Sequence, residues 1–380
     1  MIYLDYNATT PVAQEVAEAM MPFILKEFGN PSSSHSVGRR AKEAMEKARS
    51  RVARLLGCQP DEVIFTSGGS ESNNMVLKGA AQSLQEKGRH IITTEIEHPA
   101  IMNPCIFLME NGYDVTFIPV NRYGIVDPDD VKKAIRDNTI LISVMHANNE
   151  TGTIQPIEEI GLITKKYGVL FHTDAAQSVG KIDTDVYRLG VDFLTIAGHK
   201  FYAPKGVGAL YIRSGAEITS LIHGAGQEMG NRAGTENTIL NVGLGAACEL
   251  AGKDLKSEKK RLTALRNRLQ ERITASIPEA VLNGHPENRL PNTLNISFPG
   301  IDGGKILEEI PDLCASTGAA CHDRSVSLSH VLAAMGVSKE VGMGAIRLTL
   351  GRYTTEEEVD QASDWLVKKV RGKKIFYEVS

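Results

Sequence analysis

The chain has 380 residues, 42% hydrophobic and 23% charged, and its 42 Lys and Arg against 46 Asp and Glu give a formal net charge of −4. That length predicts two domains, or three, and the near-neutral balance gives no electrostatic case for a nucleic-acid or anionic-membrane partner. No apolar run approaches the ~18 residues of a membrane span, residues 1–10 lack the basic head and apolar stretch of a signal peptide, and the 5 cysteines read as free thiols of a reducing, cytoplasmic compartment.

From the N-terminus, residues 14–27 and 38–56 predict helices, the second with Val52, Leu55 and Leu56 at helical spacing. Short β-rich runs bounded by Gly, Asn, Asp or Pro then recur at 63–66, 90–94, 115–119, 140–145, 169–172, 193–196 and 208–212. Most gaps between them have room for a crossover helix. Repeated strand–helix–strand units imply an α/β fold: a large domain with a mostly parallel sheet covered by helices on both faces. Residues 253–275 are densely charged, with Leu255, Leu262, Leu265, Leu269 and Ile273 at helical spacing, and read as a long solvated helix joining two domains. Beyond it, 294–298 and 345–350 read as strands of a smaller α+β C-terminal domain. The expected division is 13–255 for the large domain, with 1–12 and 256–380 forming the small one.

Five segments carry chemistry. At 65–74 a β-run ends in a Ser/Gly turn that opens a helical pattern. Backbone N–H groups at a helix start, with hydroxyls, make a phosphate cup, although such loops are often plain caps, and the pattern is not that of a nucleoside-triphosphate P-loop. At 169–177 an apolar strand delivers Asp174 just past its C-terminal end, the edge where parallel sheets bind ligands. A carboxylate there can hold a pyridinium N–H or cap a helix. At 195–206 Lys200 follows a strand end beside Gly198 and His199. A lone Lys is most often solvated, but an amine desolvated there becomes a nucleophile able to form a Schiff base with an aldehyde cofactor. Asp174 and Lys200 at successive strand ends fit pyridoxal phosphate. At 315–323 Cys321 sits among small residues beside His322, which gives access and a route to the thiolate. Cys58, Cys105 and Cys248 read as small buried hydrophobes, and Cys314 is undecided. At 346–352 Arg347 alternates with apolar residues; an Arg held in a strand can grip a carboxylate with two bonds or make a structural ion pair. No Cys-x-x-Cys and no zinc-spaced His/Cys group occurs, so no metal site is expected.

With these segments in place, the chain resembles the class V aminotransferase superfamily of fold-type I pyridoxal-phosphate enzymes, and within it the cysteine desulfurases of the NifS/IscS type. The resemblance runs over nearly the whole chain. It is carried by 3–11 (YLDYNATTP), 29–33 (GNPSS), Glu97-His98, 146–152 (HANNETG), 232–237 (RAGTEN), 290–292 (LPN) and the Cys321 and Arg347 segments.

The resemblance implies pyridoxal 5'-phosphate as cofactor. Lys200 would bind its aldehyde and shuttle protons, Asp174 would pair with the pyridine nitrogen, Gln177 would hydrogen-bond the phenolic oxygen, and His98 would stack on the ring and aid proton transfer. Gly69, Ser70 and His199 would hold the phosphate, with Thr235 from the other subunit of a homodimer. Asn149 would contact cofactor and substrate. Arg347, helped by Asn7, would bind the substrate carboxylate. Cys321 would take the sulfur of L-cysteine as a persulfide and leave L-alanine. The sulfur would pass to an acceptor or scaffold protein, for iron–sulfur cluster assembly or thio-modification. Two departures stand out. Ala197 occupies a position where the family commonly has a phosphate-binding Ser, and the segment after Cys321 differs from the family pattern. Ala197, Phe201-Tyr202 and Ala320-Cys321-His322 resemble selenocysteine lyases, so release of selenium from L-selenocysteine is the alternative reading.

Overall fold

The computed structural model describes residues 1–317 and 328–378; Cys321 lies outside them. The chain enters through the short strand β1 (Ile2–Tyr3). A seven-stranded sheet follows, built from β2 (Val63–Thr66), β3 (His90–Thr94), β4 (Asp114–Ile118), β5 (Thr139–Ser143), β6 (Leu170–Asp174), β7 (Phe193–Ala197) and β8 (Gly208–Ile212). Their order across the sheet is β2-β8-β7-β6-β5-β3-β4. All neighbours are parallel except β8, which runs antiparallel to both β2 and β7.

Continuous apolar runs are what such a sheet needs, because successive side chains point to opposite faces and both faces are covered. Phe65, Ile92, Ile142, Leu194 and Tyr211 join the core cluster beneath the helix Ser36–Leu56. Their chain neighbours Ile64, Ile91, Leu141, Phe193 and Leu210 join the cluster on the opposite face, with Met75, Val76 and Leu77 of the helix Gly69–Ser83. The helix Ser36–Leu56 buries Ala41, Met45, Ala48, Val52 and Leu56 at helical spacing and stops at Gly57, whose left-handed φ of 73° caps its carbonyls.

A second, three-stranded antiparallel sheet, β9 (Val281–Asn283), β10 (Thr293–Ser297) and β12 (Ala345–Thr349), has its own core. The edge strand β11 (Leu313–Cys314) pairs in parallel with β1, so the N-terminus is tied to the C-terminal part of the chain. The charged segment expected to be a solvated connector belongs to one helix, Thr238–Ser276. Its first half buries Leu244, Ala247 and Cys248 in the core of the large unit, against the helices Gln14–Leu25 and Ser36–Leu56. Its second half buries Leu262, Leu265, Leu269 and Ile273 against β10 and β12. The leucine stripe is therefore a packing face rather than the apolar residue of a solvated rod.

Candidate active site

Asp174 is the last residue of β6, and Lys200 closes the single 3-10 turn Gly198–Lys200 directly after β7. The two strands are parallel neighbours with Asp174 opposite Thr195. Both groups therefore leave the sheet at its carboxyl-terminal edge, where ligands of such sheets bind. The Asp174 carboxylate is 7% exposed. Its Oδ2 accepts from Asn73 Nδ2 at 2.7 Å and its Oδ1 from the Ala176 N–H at 2.9 Å, which fixes its plane.

Lys200 Nζ donates to the carbonyls of Asn7 and Ala8, both at 2.8 Å. No carboxylate pairs with it among the described residues. Burial pushes its pKa down to about 8, the Arg347 cation adds to that shift, and Asp174 and Asp5 oppose it. Desolvation disfavours the charged form of an amine, so Lys200 is poised to react as the free base.

Asn7, 1% exposed, gathers the site. Its carbonyl accepts from Lys200 Nζ and, at 3.0 Å, from Gln177 Nε2. Its side-chain Nδ2 donates to Thr293 Oγ1 at 3.0 Å and to the Asn149 carbonyl at 3.2 Å. That carbonyl also receives Arg347 Nη1 at 3.1 Å. Arg347, on β12, directs Nη2 to Asp5 Oδ1 at 2.9 Å, while its buried Nε has no partner among the described residues. Lys200, Gln177, Asn7, Asn149 and Arg347 thus form one connected network.

Gly69 and Ser70 begin the helix Gly69–Ser83, after Gly68 at φ 149°. A Cβ built on Gly68 meets nothing within 4 Å, so the turn before the helix faces open space. A Cβ on Gly69 would lie 3.3 Å from that of Ala197, so Ala197 lines the sheet side of the helix start. His199 Nδ1 lies 3.2 Å from Thr9 Oγ1, and burial, with Lys200, Lys205 and Lys181 adding, pushes its pKa down to about 4. Exposed Thr235 lines a cleft with Thr66 and Ser67. The loop before it is pinned by Arg232 Nε to Glu71 Oε1 at 2.8 Å. His98 caps the helix Pro99–Glu110, its Nδ1 accepting from the Ala100 N–H at 3.0 Å, which leaves the ring proton on Nε2.

Sequence reasoning passed over Asn73, Asp5, Glu97 and Lys181. Asn73 is a polar residue among the buried Met75, Val76 and Leu77 of its helix, and Lys181 a charge in the apolar turn after Gln177. A polar group on an apolar face was the available signal. A desolvated amine, a carboxylate at the neighbouring strand end and a helix start facing open space together fit an aldehyde-bearing pyridine phosphate. The Arg347 Nε, without a partner among the described residues, leaves a buried donor for a carboxylate.

Residues 2–362 match the family model described as aminotransferase class-V. A cysteine desulfurase IscS from Dictyoglomus turgidum is 52% identical over 375 residues, 97% of this chain and 95% of that protein. Its namesake from Methanosarcina thermophila is 48% identical, covering 98% and 93%. Among solved structures, a NifS-like protein superposes with a TM-score of 0.90 at 41% identity over 99% of both chains. SspA, solved in complex with cysteine, gives 0.82 at 40% identity over 93% of this chain and 100% of that one.

Proposed function

The chain belongs to the aminotransferase class-V family, and from that premise we propose that it is a pyridoxal-phosphate-dependent cysteine desulfurase. The observation that carries the reading is the half-buried, desolvated Lys200 amine beside Asp174 at one sheet edge, in a chain about half identical to curated desulfurases. The relatives carry desulfurase names, which favours release of sulfur from L-cysteine over release of selenium from L-selenocysteine.

Bound at this edge, pyridoxal phosphate supplies an electron sink for charge developing at the substrate Cα. Lys200 would bind the aldehyde and move the proton at Cα. Asp174 would hold the proton on the pyridine nitrogen, with Asn73 orienting Asp174. Gln177 would donate to the phenolic oxygen. Gly69, Ser70 and His199 would hold the phosphate, with Thr235 of a second subunit. His98 would pack on the ring and move a proton through Nε2. Arg347, with Asn7 and Asn149, would bind the substrate carboxylate, and the Arg347 Nε, without a partner among the described residues, supports that assignment. The Cys321 thiolate attacks the substrate sulfur. An S–S bond forms as the Cβ–S bond breaks, and the pair left on Cβ takes up a proton to give L-alanine. The terminal sulfur of the Cys321 persulfide then passes to a nucleophile on an acceptor or scaffold protein.

The proposal includes the large unit 13–255, a small unit of 1–12 with 256–380, a homodimer and a cytoplasmic location. An exposed apolar run, Met21, Ile24, Leu25 and Phe28, supports burial against a second copy. The free cysteines Cys58 (half-buried), Cys105, Cys248 and Cys314 suit a reducing compartment. No helix among the described residues is long and apolar enough to cross a membrane. The test is incubation of the purified protein with pyridoxal phosphate and L-cysteine, followed by assays for alanine and sulfide and by the mass of the Cys321 peptide. Alanine with one added sulfur on that peptide is expected. Absence of both would overturn the reading.

A further inference from the structure

Lys181 is a second amine buried at this site, and no step of the proposed reaction uses it. It follows Gly180, whose φ of 75° turns the chain. A Cβ at Gly180 would lie 3.1 Å from that of Phe201 and 3.3 Å from that of Ala251. This tight turn sends Lys181 inward, where it is 9% exposed. Its Nζ donates to Gln177 Oε1 at 3.0 Å and to Asn7 Oδ1 at 3.5 Å.

An ammonium has three donors and no acceptor, so Gln177 must turn its carbonyl oxygen toward Lys181. Burial and the Lys200 and Arg347 cations push its pKa down to about 7; the neutral amine above that pH keeps a hydrogen for each of these two acceptors but gains a lone pair, so the orientation is enforced most strictly in the ammonium form. The amide nitrogen of Gln177 is thereby left facing the Asn7 carbonyl, the group that also receives Lys200. Asn7 is fixed in the same way. Its Oδ1 is held by Lys181 and by Asn292 Nδ2 at 3.1 Å, so its Nδ2 points at Thr293 and Asn149. The charged groups acting on Lys181 are the Lys200 and Arg347 cations. No carboxylate pairs with it among the described residues, so a simple ion-pair role does not account for it.

We propose that Lys181 is a positioning residue that sets the amide orientations of Gln177 and Asn7, so that Gln177 offers an N–H rather than a carbonyl to the phenolic oxygen of the cofactor. This rests on the cofactor reading above. An amide free to flip would aim a carbonyl oxygen at that oxygen for part of the time and weaken binding.

The experiment titrates the full-length cofactor-free protein with pyridoxal phosphate. It records the dissociation constant and the pH midpoint of the visible band of the bound cofactor, with thermal melts of the cofactor-free forms alongside. Lys181→Met should weaken binding about tenfold, one misdirected hydrogen bond, and move the midpoint to higher pH as the phenolic oxygen loses a donor. Lys181→Arg, again donor-only, should restore both. In a Gln177→Ala background, Lys181→Met should change the dissociation constant by less than about twofold, because the partner through which it acts is gone. Wild-type values for Lys181→Met, or an undiminished tenfold loss in the Gln177→Ala background, would overturn the inference. Should Lys181→Met not fold, Lys181→Ala, which also removes the donor, decides instead. A tenfold loss supports donation, and binding within about twofold of wild type overturns it. A wild-type protein that takes up no pyridoxal phosphate defeats the proposed function itself, whereas a yellow wild type with an unaltered Lys181→Met defeats this inference alone.

Discussion

Glu97 and Lys200 are displaced in opposite directions by one cause. Burial pushes Glu97 up to about 8; the Met145 N–H and the Thr94 hydroxyl oppose the shift and Asp174 adds to it. A carboxyl that is neutral when folded and ionised when unfolded loses stability as pH rises from its ordinary 4.5 to about 8. Glu97→Gln keeps an oxygen for Thr94 Oγ1 and Met145 N while removing the titration. Its melting temperature should exceed that of the wild type at pH 8 and match it near pH 4.5. An equal gain at both pH values would contradict a neutral acid. Lys200 has its folded pKa lowered, so its reactive free base dominates above about 8 instead of above 10.5. The rate at which the cofactor-free protein captures pyridoxal phosphate, followed by visible absorbance, should climb with pH and level off just above 8. A rate still climbing at pH 10 would place the amine in water. At this scale the sequence revealed the groups that local patterns deliver, Asp174 and Lys200 at strand ends. It did not reveal Asn73, whose bond to Asp174 spans 101 positions, because only the packed sheet brings the two together.

Strand runs were legible because strands buried on both faces are rich in apolar and β-branched residues, and 63–66, 90–94 and 208–212 coincide with β2, β3 and β8. The direction of β8 was not visible in its own residues, since an apolar run reads the same either way. The clue lay in the short gap of residues 198–207, too brief for the crossover that a parallel partner requires. The pair β1 and β11, two residues each, is below any periodicity. Strand β8 also constrains the site. A Cβ on Gly208 would stand 2.4 Å from the Ile196 carbonyl oxygen and 2.7 Å from Gly68 Cα. Gly208→Ala must therefore shift backbone at the turn that opens the helix Gly69–Ser83, at a cost of about 1–3 kcal/mol. Both the melting temperature and the affinity for pyridoxal phosphate should fall. A loss of stability with unchanged affinity would separate β8 from the phosphate cradle.

Two cores share one helix, Thr238–Ser276, and the site is strung between them. Lys200 follows β7, yet its two acceptors, the carbonyls of Asn7 and Ala8, belong to the N-terminal segment. That segment is fastened to the second sheet through Asn7 N on Thr349 Oγ1 at 3.0 Å and Thr349 N on the Leu4 carbonyl at 2.7 Å. Loosening the second core should therefore disturb Lys200 even though no residue of the large sheet is touched. Leu269, fully buried beneath β10 and β12 on the shared helix, is the test. Leu269→Ala should cost about 2–5 kcal/mol through the cavity it leaves. Because the helix spans both cores, calorimetry should show one transition at a lower temperature, raised again by bound pyridoxal phosphate. Two resolved transitions, with the cofactor moving only one of them, would mean that the units melt independently and that the helix does not couple the second core to the amine.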